Sequence, residues 1–334
     1  MNSISKRIFY ISDDANWVIK EIGQSLKSAL AAEPFFLTKN DYFKLFCIRH
    51  YSTRYAINRF FFRRPFTKVI FTYFHGDDAD IEILTAFKKN QNNIDVIHTS
   101  CEITKQHLIR NGINEKKIII VPIGIDVNQF NVVSKQRKKE IRLELEIPQD
   151  ATVIGSFQKD GNGWGEGLEP KLCKGPDLFC DTVELIHKEK PLFVLLTGPS
   201  RGYVKKRLEK ANIPFKHIYL EDYKKITDCF NALDLYLVTA RLEGGPRAPM
   251  ECMASGVPII STKVGQTPEV IDHGENGYLT DIGDNEKMKD YALEVLNNSE
   301  LQEKFIKSGL EKVKRYDFGV ISNEYIEKLY KPLC

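Results

Sequence analysis

Residues 234–261 read D-L-Y-L-V-T-A-R-L-E-G-G-P-R-A-P-M-E-C-M-A-S-G-V-P-I-I-S. The run at each end has the apolar composition of a strand, and the segment between them has the marks of a short helix. Pro249 suits the first helical turn and Gly256 suits a helix end. A strand, a helix and a second strand in this order form a βαβ unit with parallel pairing. The stretch therefore predicts an α/β fold.

The same alternation of short apolar runs with helical stretches recurs along the chain. The other runs of strand type are R-I-F-Y-I, K-V-I-F-T-Y-F, D-V-I-H-T, K-I-I-I-V, T-V-I-G-S-F, L-F-V-L-L-T and H-I-Y-L. Residues 134–148 interrupt the rhythm, because they are highly charged and end at a proline. A chain of 334 residues exceeds one ordinary core. The prediction is two doubly wound domains, 1–133 and 134–316, which face a central cleft that holds the ligand.

Bulk composition excludes several classes of protein. The hydrophobic content is 42% and the charged content 28%, as in soluble globular proteins. The 48 basic residues nearly balance the 45 acidic ones, which argues against nucleic acid as the main partner. The seven cysteines form no C-x-x-C pair, which favours a reducing cytosol. The N-terminus lacks a signal-peptide pattern, and no apolar run is long enough to span a membrane.

Two carboxylates flank the turn in the opening stretch. Glu243 follows a predicted strand, so it is expected at the ligand edge of the sheet. Gly244 and Gly245 allow close backbone approach and positive φ. Glu251 is predicted in the first helical turn, where free amides favour a phosphate and the glutamates accept hydroxyl groups. This arrangement suits an anionic, hydroxyl-rich ligand such as a nucleotide sugar.

A simpler interpretation of the two carboxylates stays open. Glu251 can complement the helix dipole, which contributes about 0.3 to 1 kcal/mol, while Glu243 is a solvated loop residue. Against this interpretation, Ala248 stands three residues before Glu251, so no capping box forms.

A glycine-rich stretch with lysines extends from residue 155 to residue 176. Lys159, Lys171 and Lys174 are interleaved with glycines, as in a mobile cationic loop that closes on a diphosphate. The stretch matches neither a Walker A loop nor a G-x-G-x-x-G turn. A flexible surface loop is the alternative.

His75 directly follows the apolar run K-V-I-F-T-Y-F. A histidine at this place can donate a hydrogen bond to a substrate hydroxyl or to a developing charge, although a structural role is the commoner one. Asp78 and Asp80 form a D-x-D pattern, which we assign to a helix start and not to a metal site.

Basic and aromatic residues alternate between residues 49 and 68. This mixture is typical of a surface that binds anionic lipid, and it also suits single-stranded nucleic acid or a partly buried amphipathic helix. The basic residues of the proposed membrane patch are Arg49, Arg54, Arg59, Arg63, Arg64 and Lys68.

In combination these segments resemble the retaining glycosyltransferases of family 4, which have the GT-B fold. The segment E-G-G-P-R-A-P-M-E resembles their E-x7-E motif, and it is followed by C-M-A-S-G-V-P-I-I-S-T-K-V-G-Q-T-P-E-V-I and G-E-N-G-Y-L-T. The segment K-I-I-I-V-P-I-G-I-D-V-N-Q-F is similar to the end of the family's first domain. Residues 317–334 resemble the last helix, which packs back on the acceptor-side first domain.

The resemblance implies a role for each matching residue. Glu251 would bind the donor ribose, Glu243 would lie near the transferred sugar, and Gly244 and Gly245 would direct amides at the sugar and phosphates. Lys174 would hold the diphosphate and His75 would lie beside the donor sugar. Family members require no bound metal and no further cofactor.

Two departures from the family pattern concern phosphate binding. Lys159 stands where the family usually has an arginine, and an unusually long insert, 161–173, separates it from Lys174. The glycine-rich first loop of the family is replaced by S-D-D-A-N-W. The sequence also does not define the contacts of Arg247.

The expected activity is metal-independent transfer of a sugar from a nucleotide sugar to a hydroxyl acceptor, with retention. The donor domain is 134–316, and the acceptor is a glycan, a lipid-linked or another hydroxyl compound. The expected location is the cytoplasm or the inner face of the membrane. Bacterial surface polysaccharide or lipid-linked glycan synthesis follows from the analogy alone. The alternatives are a nucleotide-sugar epimerase, a phosphorylase or a catalytically silent GT-B binding protein.

Overall fold

The computed structural model describes residues 7–12, 18–30, 47–52, 66–74 and 81–334. The chain forms two compact units, Met1–Gly124 with Tyr316–Cys334, and Ile125–Arg315, here called unit 1 and unit 2. The division falls before the predicted boundary after residue 133. The physical reason is that residues 125–133 pack on unit 2: Gln129 accepts a hydrogen bond from the Thr227 hydroxyl at 3.1 Å, and the Phe130 ring meets Phe230.

Unit 1 contains a parallel sheet whose strands follow one another in chain order. The strands are β1 Arg7–Ser12, β2 Cys47–Ser52, β3 Lys68–Thr72, β4 Val96–Thr99 and β5 Ile118–Ile120. The first helices are α1 Val18–Leu30, α2 Ile81–Asn90 and α3 Glu102–Arg110. Buried aliphatic and aromatic side chains from the sheet and helices form its core.

The position of strand β2 shows that one residue of the predicted basic membrane patch is buried. Arg49 lies within this strand, pairs in register with Phe9 and is only 5% exposed, so it does not belong to a basic surface patch. Lys68 begins β3 and forms an ion pair with Asp95 at 3.3 Å. The patch residues Arg54, Arg59, Arg63 and Arg64 lie outside the described residues, and their membrane role stays a prediction.

Unit 2 contains a second parallel sheet, of order β11-β10-β9-β6-β7-β8. Its strands are β6 Thr152–Phe157, β7 Leu192–Thr197, β8 Phe215–Ile218, β9 Leu235–Val238, β10 Ile259–Thr262 and β11 Tyr278–Thr280. Its helices are α4 Lys135–Glu144, α5 Pro176–Glu189, α6 Gly202–Lys210, α7 Ile226–Asn231, α8 Ala248–Ala254, α9 Thr267–Val270, α10 Asn285–Asn297 and α11 Ser299–Val313. The strand, helix and strand of the opening stretch are β9, α8 and β10, as the sequence predicts.

The C-terminal residues return to unit 1. Helix α12, Phe318–Tyr325, continues into a π-helical turn at Ile326–Tyr330. Ile321, Tyr325 and Leu329 are buried in the same core cluster as the side chains of β1 and β2. The unit is therefore completed by residues that are distant in sequence from its strands.

A buried chain of hydrogen bonds connects this C-terminal segment to the centre of the sheet. Tyr330 Oη is 2.9 Å from His50 Nδ1, His50 Nε2 is 2.6 Å from Thr72 Oγ1, and Thr72 Oγ1 is 2.8 Å from His98 Nδ1. His98 Nε2 lies 2.9 Å from the carbonyl oxygen of Val121. Because a carbonyl only accepts, His98 Nε2 carries hydrogen, and two neutral imidazoles give one consistent direction of donation from Tyr330 to Val121.

Candidate functional site

The candidate site lies where the strand order of the unit 2 sheet reverses. The chain runs outward from β6 through β7 to β8 and then returns to place β9 on the other side of β6. Ligands of open α/β sheets bind beyond the carboxyl ends of the strands at such a reversal. Glu243 follows β9, and Lys174 follows β6 through the glycine-rich insert, so both come from strands at this point.

Lys174 and Glu243 form an ion pair at the reversal. The side chains are 25% and 14% exposed, respectively, so the pair is shielded but open to solvent. The amides of Arg241 and Leu242 donate to the carbonyl oxygen of Cys173 at 2.9 and 3.0 Å, which fixes the two segments beside one another. The lysine and carboxylate that the resemblance assigns to the donor site are therefore in direct contact.

Gly175 makes this close approach possible. It has φ 63°, and a Cβ atom at this position would lie 1.9 Å from the carbonyl oxygen of Thr239. The Thr239 hydroxyl donates to the carbonyl oxygen of Gly175 at 2.8 Å. Arg241 strengthens the junction through a bidentate pair with Asp177, at 2.7 and 2.6 Å. Only glycine allows Lys174 to sit this close to the end of β9.

Glu251 lies in the first turn of α8 and is only 2% exposed. The Tyr223 hydroxyl lies 3.0 and 2.9 Å from its two carboxylate oxygens, and an Arg247 guanidinium nitrogen lies 3.2 Å from one of them. Arg247, whose contacts the sequence left open, therefore pairs with Glu251. Burial and the Glu251 charge raise the pKa of Tyr223 well above its usual value, so its hydroxyl keeps the proton and donates it.

The Gly-Gly-Pro turn packs closely against another loop. A Cβ atom at Gly265 would lie 2.7 Å from the carbonyl oxygens of both Glu243 and Gly244, and Gly265 has φ 51°. Positive φ values near the site occur at Gly175, Gly256 and Gly265 and not at Gly244 or Gly245. The expectation of positive φ at those two residues is therefore wrong, and it is Gly265, which packs against the turn, that has a positive φ.

The glycine-rich insert is bound to its own unit, which corrects the expectation of a mobile cationic loop. The amides of Gly202 and Tyr203 donate to the carbonyl oxygens of Glu166 and Gly167 at 2.7 and 2.8 Å. The Ser200 hydroxyl donates to the carbonyl oxygen of Gly165 at 3.0 Å. These bonds anchor the insert to the start of α6.

Lys159 does not share the contact of Lys174. Its ammonium group lies 3.8 Å from the centroid of the Trp164 ring, a cation–π contact. The two lysines that were expected to hold one diphosphate are thus engaged with different partners. His75, which the resemblance places beside the donor sugar, lies outside the described residues.

Sequence reasoning missed Tyr223, which contacts Glu251 from a segment 28 residues earlier in the chain. The available signal was its position shortly after β8, because residues that follow strands at the carboxyl edge are ligand candidates. It also missed the Arg241 to Asp177 pair. That contact joins the segment after β9 to the start of α5. The two residues are 64 positions apart, so no local sequence pattern predicts the pair.

Neither a membrane-spanning helix nor a metal-binding cluster is present in the part of the chain that the structure describes. No helix there is long and apolar enough to cross a membrane. No group of three or more histidine, cysteine, aspartate or glutamate side chains in that part is arranged to hold a metal ion.

Comparison with known proteins agrees with this architecture. Residues 168–312 match the family model described as glycosyl transferases group 1. The fold is the GT-B fold, with two Rossmann-like parallel α/β units. Anabaena HepE, solved in complex with UDP-glucose, superposes with a TM-score of 0.69 at 17% identity and covers 84% of this chain and 78% of its own.

Two curated relatives are bacterial enzymes. The N-acetyl-alpha-D-glucosaminyl L-malate synthase of Bacillus anthracis is 32% identical over 110 residues, which are 33% of this chain and 29% of that protein. The lipopolysaccharide core biosynthesis mannosyltransferase LpsB of Rhizobium meliloti is 28% identical over 179 residues, 51% of this chain and 48% of its own. The chain thus spans about half or less of the length of these relatives.

Proposed function

We propose that this protein transfers a sugar from a nucleotide sugar to a hydroxyl acceptor with retention of the anomeric configuration. The observation that carries the proposal is the placement of the Lys174–Glu243 pair and the buried Glu251 at the reversal of the unit 2 sheet. The glycosyl transferases group 1 match covers these three residues. HepE, which shares the fold, was solved with UDP-glucose, and this supports a nucleotide-sugar donor.

Glu251 binds the ribose of the donor in this proposal. Its two oxygens already accept the phenol proton of Tyr223, a hydroxyl donor of the same kind as a ribose hydroxyl. Arg247 at 3.2 Å supplies a positive charge that favours the carboxylate form. The ribose hydroxyls replace the Tyr223 hydroxyl when donor binds, and the exposed part of the Tyr223 side chain lets it move aside.

Lys174 holds the diphosphate of the donor. Without donor, the Lys174 ammonium group forms an ion pair with the Glu243 carboxylate. This carboxylate occupies the place that a phosphate takes when the donor binds. A diphosphate competes for Lys174, and the freed Glu243 then accepts a hydroxyl of the transferred sugar. Lys174 stabilises the negative charge that grows on the leaving group, which is the main catalytic contribution in this proposal.

The reaction is a front-face displacement. The bond between the anomeric carbon and the phosphate oxygen breaks, the acceptor oxygen bonds to the same face of that carbon, and the acceptor proton passes to the departing diphosphate. No enzyme nucleophile is required. The amides of Gly244 and Gly245 support the sugar and phosphates, Lys159 adds charge, and His75 donates to the sugar. We further propose that no metal or other cofactor takes part.

The acceptor is proposed to be a glycan or a lipid-linked hydroxyl compound. LpsB is a lipopolysaccharide core mannosyltransferase, and this relationship favours surface polysaccharide synthesis in the cytoplasm or at the inner face of the membrane. A basic patch that includes Arg54, Arg59, Arg63 and Arg64 would assist attachment to anionic lipid, with co-sedimentation of liposomes as its test.

The decisive experiment is product analysis by NMR. The protein is incubated with a panel of nucleotide sugars, a set of hydroxyl acceptors and a chelator, and the anomeric proton coupling of the product is measured. Formation of a retained glycoside that depends on the acceptor supports the proposal. Conversion of the donor sugar without an acceptor, dependence on inorganic phosphate, an inverted product or complete absence of turnover would each contradict it.

A further inference from the structure

A cavity of about 510 Å³ lies in unit 2 at the carboxyl ends of β7 and β8. Trp164 and Leu168 of the insert, Lys205 and Lys206 of α6, and Tyr219 after β8 contribute to its wall. The volume falls within the range of pockets for small ligands, which is about 300 to 1,000 Å³. Strand β6 separates β7 from β9, so the cavity lies on the other side of β6 from the segment that carries Glu243.

The insert forms a fixed wall of this cavity. Gly161 and Gly167 contact Ser200 so closely that a Cβ atom at either would lie 2.3 and 2.1 Å, respectively, from the Ser200 carbonyl oxygen. Because the carbonyl oxygens of Glu166 and Gly167 occupy the first free amides of α6, the helix start does not offer an anion site. The insert therefore contributes its side chains, among them Trp164 and Leu168, to the lining of the cavity.

The wall exposes three large apolar side chains around one cavity. Trp164 is 75% exposed, Tyr219 67% and Leu168 46%. Lys159 lies over one face of the Trp164 ring. An exposed aromatic ring can stack against a flat apolar face of a ligand. A cluster of large exposed apolar side chains is typical of a binding site.

The charges around the cavity balance. Lys205 and Lys206 line the cavity together with Glu166 and Glu209. Arg201 also lines the cavity, but its guanidinium is paired with the fully buried Asp160 at 2.9 Å. These four side chains thus offer both donors and acceptors, and their formal charges cancel. A ligand with an apolar ring face and hydroxyl groups that both donate and accept fits this combination.

We propose that the cavity is a second carbohydrate site, which binds an uncharged saccharide with one ring stacked on the face of Trp164 opposite Lys159. Its hydroxyl groups accept from Lys205 and Lys206 and donate to Glu166 and Glu209. The proposal rests on the walls of the cavity and not on the transfer reaction, so it can hold or fail independently of the donor site.

The test is ligand-observed saturation-transfer NMR with the full chain and a panel of neutral trisaccharides built from glucose, mannose, galactose, xylose and N-acetylglucosamine. We expect at least one of them to bind, and the Trp164→Ala variant to bind it at least tenfold more weakly. Tyr219→Ala serves as a second variant, and Glu303→Gln, exposed on α11, as the matched control. Nucleotide-sugar affinity is measured for each variant.

Unchanged saccharide binding in Trp164→Ala would overturn the proposal, as would a panel with no binder. Binding of sulfated or uronic trisaccharides in preference to neutral ones would contradict the uncharged class. A loss of nucleotide-sugar affinity in Trp164→Ala would assign the cavity to the donor site instead. Weaker saccharide binding together with unchanged nucleotide affinity supports a separate site.

Discussion

Acidification is expected to destabilise unit 1 through its buried histidines. Burial lowers the pKa of His98 from 6.5 to about 4, because an imidazolium ion in this position lacks solvent. Burial and the neighbouring His98 place the pKa of His50 well below its usual value. Both imidazoles are therefore neutral in the folded protein at neutral pH. An added proton would also break the single direction of donation from Tyr330 to Val121.

The size of the effect follows from the difference in pKa between the two states. Since the unfolded chain binds a proton at about pH 6.5 and the folded one at about pH 4, the unfolded state holds more protons between these values. A difference of about 2.5 units at 1.36 kcal/mol per unit gives a loss of about 3 kcal/mol as the pH falls from 6.5 to 4. The depressed pKa of His50 acts in the same direction.

Peptide-resolved hydrogen exchange of the full chain measures this effect. The free energy of opening is determined for peptides from β2, β3 and β4 between pH 4 and pH 7.5, after correction for the intrinsic exchange rate. His98→Gln is the matched variant, because an amide can donate to Val121 and accept from Thr72 without titrating. In the His98→Gln variant, the free energy of opening should depend less on pH, because the contribution of His98 is absent. Equal pH dependence in both proteins, or stability that rises on acidification, would refute the reasoning.

Three further outcomes follow from the site. Tyr223→Phe removes the hydroxyl that contacts both carboxylate oxygens of Glu251, and it should raise the nucleotide-sugar affinity measured by calorimetry several-fold. Weaker binding would contradict the proposal that the ribose displaces the Tyr223 hydroxyl. Gly175→Ala adds a Cβ 1.9 Å from a backbone oxygen and should lower the free energy of unfolding by about 2 to 4 kcal/mol. Gly163 has a similar φ, but open space surrounds the position of its Cβ, so Gly163→Ala should lower the free energy of unfolding by only about 1 kcal/mol. Equal melting temperatures would contradict this difference. Lys174→Ala should lower kcat by roughly 100-fold with a smaller effect on donor affinity, and unchanged single-turnover rates would exclude its leaving-group role.

The local parts of the fold were predictable from sequence because their signals are local. The opening stretch contains the proline and glycine that bound α8, and apolar runs identify β9 and β10 on either side of it. The same pattern placed Glu243 after a strand and Glu251 in a first helical turn. These predictions depend on neighbouring residues alone and are confirmed.

The parts that were missed depend on distant partners. Strand β2 reads C-I-R-H-Y-S, and its polar residues suggested a surface segment. Its His50 is accommodated in the core because Tyr330, 280 residues later, lies within hydrogen-bond distance. The insert likewise has the composition of a flexible loop, but bonds to residues 200–203 hold it. Composition alone contains no information about such contacts.

Donor binding at Glu251 tests the central claim most directly. Calorimetric titration of a nucleotide-sugar panel, with chelator present, is compared for the unaltered protein, Glu251→Gln and the exposed control Glu303→Gln. The account predicts that one donor binds to the unaltered protein and to the control equally, and to Glu251→Gln roughly 10- to 100-fold more weakly, since a hydrogen bond to a charged group contributes about 1.5 to 3 kcal/mol. Equal donor affinity in all three proteins would contradict it.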